Sequence, residues 1–276
     1  MMILKYVCYI CIMKINYLFL SVLFFFSCTQ YRLHQKVLKS TDPEFQYTQA
    51  VNYFTNKDYA RALQIFENLL VEFKGSDKAE SIYYHYIYCN YHLKDYVSAS
   101  FHAKNFVSKF LLSSKNEEIA FLRAYCYYLD TPRQSLDQVK TYDAIEQLES
   151  FIMNYPTSDS LSRINDLIFD LNRKLEKKFF DNAVLYYHTG KYKSAIYAID
   201  NYLKQFPETT FSEEISFIQL KSYVQLGKNS IEEKKEQRIK EAIFASNNFL
   251  MSFPDSDYIQ EVKDIYETLK TIQNGL

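Results

Sequence analysis

The chain has 276 residues, 48% of them hydrophobic and 24% charged, with 4 Gly, 5 Pro, 5 Cys and no Trp but 26 Tyr and 22 Phe. That apolar share excludes a disordered chain, and so few Gly and Pro leave too few turn formers for a many-hairpin β protein, so helices remain. With 32 basic against 33 acidic residues no counterion-release term favours nucleic acid, and the isolated Gly75, Gly190, Gly227 and Gly275 build no phosphate-cradling loop.

Residues 1–27 carry Lys5 and Lys14 and no acid, and the run from Ile15 to Phe26 is almost wholly apolar and ends at Ser27 and Cys28. A basic start, an apolar stretch of about 7 to 15 residues and a small residue before the cut form a secretory profile, whereas a membrane span needs about 20 apolar residues. Met13 opens a compact version of the same signal; the alternative is an uncleaved anchor from Val7 to Ser27. Phe25-Phe26-Ser27-Cys28 resembles the bacterial lipobox, in which the cysteine is lipidated and becomes the new N-terminus. By that resemblance Cys28 is the lipidation site, and Thr29 in place of Asp implies sorting to the outer membrane. The expected layout is a signal peptide at 1–27, a lipidated tether at 28–42 and a helical repeat domain at 43–270.

Cys8 and Cys11 spell C-x-x-C inside the signal, with no βαβ context for redox chemistry. Past Cys28 only Cys89 and Cys126 remain, both in Tyr-rich helical patterns where a small buried thiol is the default and a disulfide the alternative.

The rest of the chain repeats. Eleven residues after Ala62, Ala99, Ala144, Ala195 and Ala242 stand Phe73, Phe110, Tyr155, Phe206 and Phe253. One position further lie Lys74, Leu111, Pro156, Pro207 and Pro254, where three of the five prolines stop a helix. Leu69, Phe106, Phe151, Tyr202 and Phe249, seven after each alanine, complete one helical face of period 3.6, which is a core face. Ala50 and Ala183 stand twelve before their anchors, where two helices of a pair approach closely, and Asn56-Lys57-Asp58 and Gly190-Lys191 supply turns. This is the tetratricopeptide pattern, and it predicts an all-α fold, a superhelix of five helix pairs at about 43–76, 80–113, 117–158, 176–209 and 212–256. Repeats 3 and 5 carry extra residues between their helices, Asp130 to Lys140 and Lys228 to Lys240, and Ser160 to Tyr187 reads as one long helix.

The lipobox, the Y-P-x-S-type repeat ends, the segment Thr131 to Ile145 and the charged insertion before Ala242 together resemble the BamD family in its Bacteroidetes form, the tetratricopeptide lipoproteins of the outer-membrane β-barrel assembly machinery. The resemblance covers most of the chain after Cys28. It implies a lipid-anchored scaffold on the periplasmic side of the outer membrane. Its C-terminal repeats would dock on the periplasmic domains of the barrel assembly protein, with other assembly lipoproteins as further partners. Its N-terminal repeats would help receive unfolded outer-membrane proteins. Alternatives are a tetratricopeptide lipoprotein of pilus or envelope assembly and a glycan-capturing SusD-like lipoprotein; the absence of Trp removes the preferred sugar-stacking ring from the latter.

Tyr83, Tyr84, Tyr86, Tyr88 and Tyr91 cover several faces of one helix, so some are core; Tyr83, Tyr84 and Tyr88 are the candidates for a partner groove. His85 and His92 share a face without acidic or Cys partners at a fixed offset, so no metal is expected. The run 232–241 reads as a solvated helix face. No catalytic motif occurs, and neither a catalytic residue nor a cofactor is expected.

Overall fold

A computed structural model of the chain describes residues 31–275. The signal segment, Cys8, Cys11 and the lipidation candidate Cys28 lie outside the described residues. Among the described residues there are twelve helices and no strand: α1 (31–38), α2 (Pro43–Thr55), α3 (Tyr59–Glu72), α4 (Ala79–His92), α5 (Tyr96–Lys109), α6 (Asn116–Leu129), α7 (Val139–Asn154), α8 (Leu161–His188), α9 (Tyr192–Gln205), α10 (Ser212–Lys228), α11 (Glu232–Ser252) and α12 (Ile259–Asn274). They form two compact units, one made of the described chain up to Thr131 together with Asp143–Leu161, the other of Pro132–Tyr142 and the chain from Ser162 onward.

Local chemistry sets the helix ends. Asp42 accepts from the backbone N–H groups of Glu44 and Phe45 at 3.0 and 3.2 Å ahead of Pro43, and Asp95 accepts from Ser98 at 3.0 Å; both satisfy donors that a first turn leaves unpaired. The turn inside a pair needs one residue with positive φ, five positions before the anchor alanine. Gly190 (φ 73°) fills it in the fourth pair, but Lys57 (φ 62°) and Lys94 (φ 63°) fill it in the first two, where an L side chain is strained.

Packing follows the register. The five anchor alanines are fully buried, as are Ala50 and Ala183, so nothing larger than a methyl fits where the helices of a pair touch. In the first unit Ala62, Ile65, Phe66 and Leu69 of α3 close on Ala50 and Ile82, and Ala99, Ala103 and Phe106 of α5 close on Tyr83, Ile87 and Ile119. In the second, Phe180 and Ala183 of α8 meet Ile199 and Tyr202 of α9.

Three features differ from the sequence-based expectation. The stretch expected as a tether at 28–42 contains α1, docked through buried His34 and Val37. His34 Nε2 lies 2.8 Å from Gln64 Oε1, and the Gln46 amide donates to the carbonyls of Val37, Leu38 and Ser40 at 3.0–3.3 Å, satisfying the acceptors a short helix leaves open. The insertion of repeat 5 is not a connection between helices: α10 runs on to Lys228 and α11 starts at Glu232, so the charged run adds turns to α11. Gly227 lies close against this extension, where a Cβ would stand 3.0 Å from Ile239 Cδ1. Finally, α12 follows the last repeat and covers the apolar side of α11 with Val262 and Leu269, as the terminal helix of a stack must.

Candidate functional site

The first helices of successive pairs lie side by side in the first unit. Tyr47 of α2 reaches Ser81 of α4 (3.1 Å between hydroxyls), and Tyr84 and Tyr88 of α4 both donate to Glu118 Oε1 of α6, Tyr84 at 2.7 Å. A lysine at each junction lies over the ring of the preceding helix: Lys78 Nζ is 5.1 Å from the Tyr47 ring centre and also pairs with Glu44, and Lys115 Nζ is 4.1 Å from that of Tyr84. Partly exposed contacts of this kind contribute about 0.5 to 1 kcal/mol each. In the second unit Lys177 of α8 lies over Phe180 of the same helix at 4.5 Å and over Phe211, just ahead of α10, at 5.4 Å.

On α4 the core side is made by Ile82, Tyr83 and Ile87, and helical spacing puts Tyr84, Tyr88, Tyr91 and His92 on the opposite side. These three tyrosines are half-buried: Tyr84 and Tyr88 lie 4.7 Å apart with Glu118 and Lys115 against them, and Tyr91 meets Tyr125 of α6. Phe54 meets His92 at 6.2 Å, His92 meets Tyr88 at 6.1 Å and Tyr91 at 5.2 Å, Tyr91 meets Tyr125 at 6.4 Å, and Tyr125 stacks on Phe121 at 5.9 Å and Tyr128 at 5.9 Å. The result is a continuous row of aromatic side chains across α2, α4 and α6. Its polar edge is fixed by Glu118. Burial, with the Glu118 carboxylate adding to it, pushes the Tyr84 hydroxyl up to about 12, and the same two causes raise Tyr88 further, so both stay protonated donors at neutral pH.

Of the three expected groove tyrosines, Tyr84 and Tyr88 lie in this row. Tyr83 does not: it is 8% exposed, packed on Phe106 and Phe110, with its hydroxyl 3.0 Å from His102 Nδ1, and so is a core ring. One residue along a helix turns a side chain by about 100°, which is enough to move it from the row to the core. Among the repeat-packing positions, Phe73, Phe110, Phe206 and Phe253 cap the ends of α3, α5, α9 and α11, and Tyr155 follows α7; all five are half-buried. Phe110, Tyr155, Phe206 and Phe253 each lie 4.9–5.4 Å from the ring four residues earlier. His85 lies flat against Phe66 with Nδ1 at 2.7 Å from the Ser81 carbonyl, and burial lowers its pKa; His92 stacks on Tyr59 at 4.1 Å. Cys89 and Cys126 are buried free thiols pushed up to about 12 by burial, so the disulfide alternative does not hold.

Sequence reasoning missed Phe54, Glu118, Phe121, Tyr125 and Tyr128. The signal was present: Tyr47, Tyr84 and Phe121 are spaced 37 residues apart, as are Phe54, Tyr91 and Tyr128, a period visible only when the first helices are aligned on one another.

The second unit carries a hollow of about 600 Å³ between α9, α10 and α11, where Asp200, Gln219, Tyr223 and Glu241 face Phe244 and Phe249. Gln219 Nε2 donates to Asp200 Oδ1 at 2.6 Å, and burial, reinforced by Asp200 and Glu241, raises the Tyr223 pKa. The charged turns of α11 contribute Gln237 and Lys240 to its wall, while Lys235 with Glu232 (3.0 Å) and Lys240 with Glu236 (2.6 Å) hold the exposed face of that helix.

The model of the family described as "YfiO: Outer membrane lipoprotein" matches residues 39–181 and 176–276, which takes in every helix from α2 to α12. The chain belongs to the YfiO outer membrane lipoprotein family. No curated protein matches it. Among solved structures, a TPR-repeat protein from Bacteroides fragilis is similar at 14% identity, over 84% of this chain and all of that one, with a TM-score of 0.36. The TPR2AB domain of yeast Sti1, in complex with pHSP90, is similar at 10% identity over 83% of this chain and 98% of that one, with a TM-score of 0.40. Each of the two units is built of tetratricopeptide-type helix pairs. Among its described residues no helix is long and apolar enough to cross a membrane, and no group of three or more His, Cys, Asp or Glu side chains comes together that could hold a metal.

Proposed function

We propose that this YfiO-family lipoprotein is a scaffold of the outer-membrane β-barrel assembly machinery, anchored through Cys28 on the periplasmic side of the outer membrane. The aromatic row on α2, α4 and α6 receives apolar or aromatic segments of unfolded barrel proteins. The second unit, around the hollow between α9, α10 and α11, docks on the periplasmic domains of the barrel assembly protein.

The observation that carries this reading is the aromatic row. Helix pairs with ordinary cores need aromatic residues on one side of each first helix; here the opposite side also carries rings, held together by a shared carboxylate and leaving edges and hydroxyls at the surface. Such a strip suits an extended segment with bulky apolar side chains, because ring contacts tolerate sequence variation while pre-set rotamers lower the ordering cost. The work required is binding, and no reaction has to be assigned to it.

The test is affinity purification of the tagged full-length protein from detergent-solubilised membranes, with mass spectrometry of what accompanies it. Recovery of an outer-membrane barrel with periplasmic domains is expected. Recovery of a secretin or a glycan transporter in its place sinks the reading. In the same cells Cys28→Ala releases the protein into the soluble fraction, and unchanged membrane retention refutes the lipid anchor.

A further inference from the structure

We infer that the outward face of α1 lies on an anionic lipid surface, so that the helix, and not only the acyl chains, contacts the membrane. This rests on the anchoring of Cys28 proposed above. The docked side of α1 is made by His34, Val37 and Leu38. Directly opposite, by helical spacing, stand Arg32 and Lys36, with Lys39 one turn on, all exposed and none paired with a carboxylate among the described residues. Tyr31 and Leu33 flank them at 63% and 52% exposure. No acid occurs between Cys28 and Asp42, and the Asp42 carboxylate is occupied at the start of α2.

Reach makes the lipid surface the occupant. Cys28 precedes Tyr31 by three residues, which span at most about 10 Å, so acyl chains on Cys28 hold α1 within headgroup distance of the bilayer whatever the intervening conformation. A Tyr and a Leu beside three cations match that boundary: the ring and the aliphatic side chain enter the headgroup region while the long basic side chains extend to phosphate. The docked side is already committed to α2 and α3, so the helix cannot turn over to present another face.

The chain contains no Trp, so Leu33→Trp supplies a single indole, whose emission is read by exciting beyond the tyrosine absorption. The protein from Cys28 onward keeps every described helix; its other thiols, Cys89 and Cys126, are buried, so Cys28 is the site of coupling to a maleimide lipid. On vesicles of phosphatidylglycerol mixed with phosphatidylcholine the emission shifts to the blue, and on phosphatidylcholine alone the shift is smaller. Replacing Arg32, Lys36 and Lys39 by Gln abolishes that difference, and for the uncoupled chain lowers partitioning by about fivefold per cation. Solvent-like emission on the anionic vesicles, or an unaltered response of the triple variant with an unchanged helical spectrum, overturns the inference. Mass spectrometry of the full-length protein from membranes is read separately. Absence of lipid on Cys28 defeats the anchoring proposal, and the vesicle result still judges the face.

Discussion

Glu118 shows how one side chain organises a surface. Two phenol hydroxyls converge on one of its oxygens, and Lys115 lies over one of the two rings. Removing a single hydroxyl leaves the carboxylate one donor, so Tyr88→Phe costs about 1 kcal/mol, whereas Glu118→Leu removes both bonds and leaves the hydroxyls to water, costing at most about twice as much; urea unfolding of each variant measures the difference. The same residues set a pH response. The folded pKa of Tyr84 is raised above its unfolded value near 10.0 to about 12, and those of Cys89 and Cys126 from 9.0 to about 12, so their contribution is full below pH 9 and is lost as pH rises toward 12. Unfolding free energy is therefore expected to fall above pH 9, with a smaller slope between pH 10 and 12 in Tyr84→Phe. An equal slope in that variant contradicts the assignment. In a chain starting at Thr29, thiol reagent finds Cys89 and Cys126 unreactive in native buffer and titrates both in denaturant without reductant.

Between residues and the fold stands the helix pair, and here the turn is the informative part. Its positive φ is met by Gly190 in one pair but by Lys57 and Lys94 in two others. Relief of that strain makes Lys57→Gly and Lys94→Gly stabilising by about 0.5 to 1 kcal/mol each, while Gly190→Ala destabilises by about 1 kcal/mol although no atom lies within 4 Å of the added methyl. Thermal denaturation of the three variants decides it, and a loss of stability in both Lys→Gly variants contradicts the strain. The start of α5 gives an independent check: Asp95→Ala removes the acceptor of the Ser98 N–H and costs about 1 kcal/mol.

At the scale of the molecule, pairs are joined into units only where small residues let helices meet. Ala195 of α9 is fully buried in the second unit. A ring forced into that filled space has to push its neighbours apart, so Ala195→Trp is expected to destabilise by about 1 to 3 kcal/mol or more. Hydrogen exchange is expected to quicken first in α9. A variant as stable as the parent shows that the alanine is not at a helix contact.

Much of this was legible without coordinates, and the reason is that it is local. Helix existence, the anchor alanines, the aromatic stops and the long α8 follow from a 3.6-residue period, from prolines that break it and from repetition along the chain. These signals say which residues share a face. They do not say what covers that face, and only the tertiary structure decided it. Tyr83 and Tyr84 are adjacent and chemically identical, yet one is core because α5 and α6 close over it, while the other joins a row because Tyr88 lies beside its ring and Glu118 of α6 accepts its hydroxyl. Residues 31–38 have the composition of a tether, and they form a docked helix because Gln46 and Gln64, far enough along the chain to be on other helices, offer the hydrogen bonds a short helix lacks. The insertion before Ala242 continues α11 instead of looping, and α10 packs against it with Gly227 close to Ile239. In each case the deciding partner is non-local, and a neighbour that arrives only on folding leaves no mark on the period of the segment it covers.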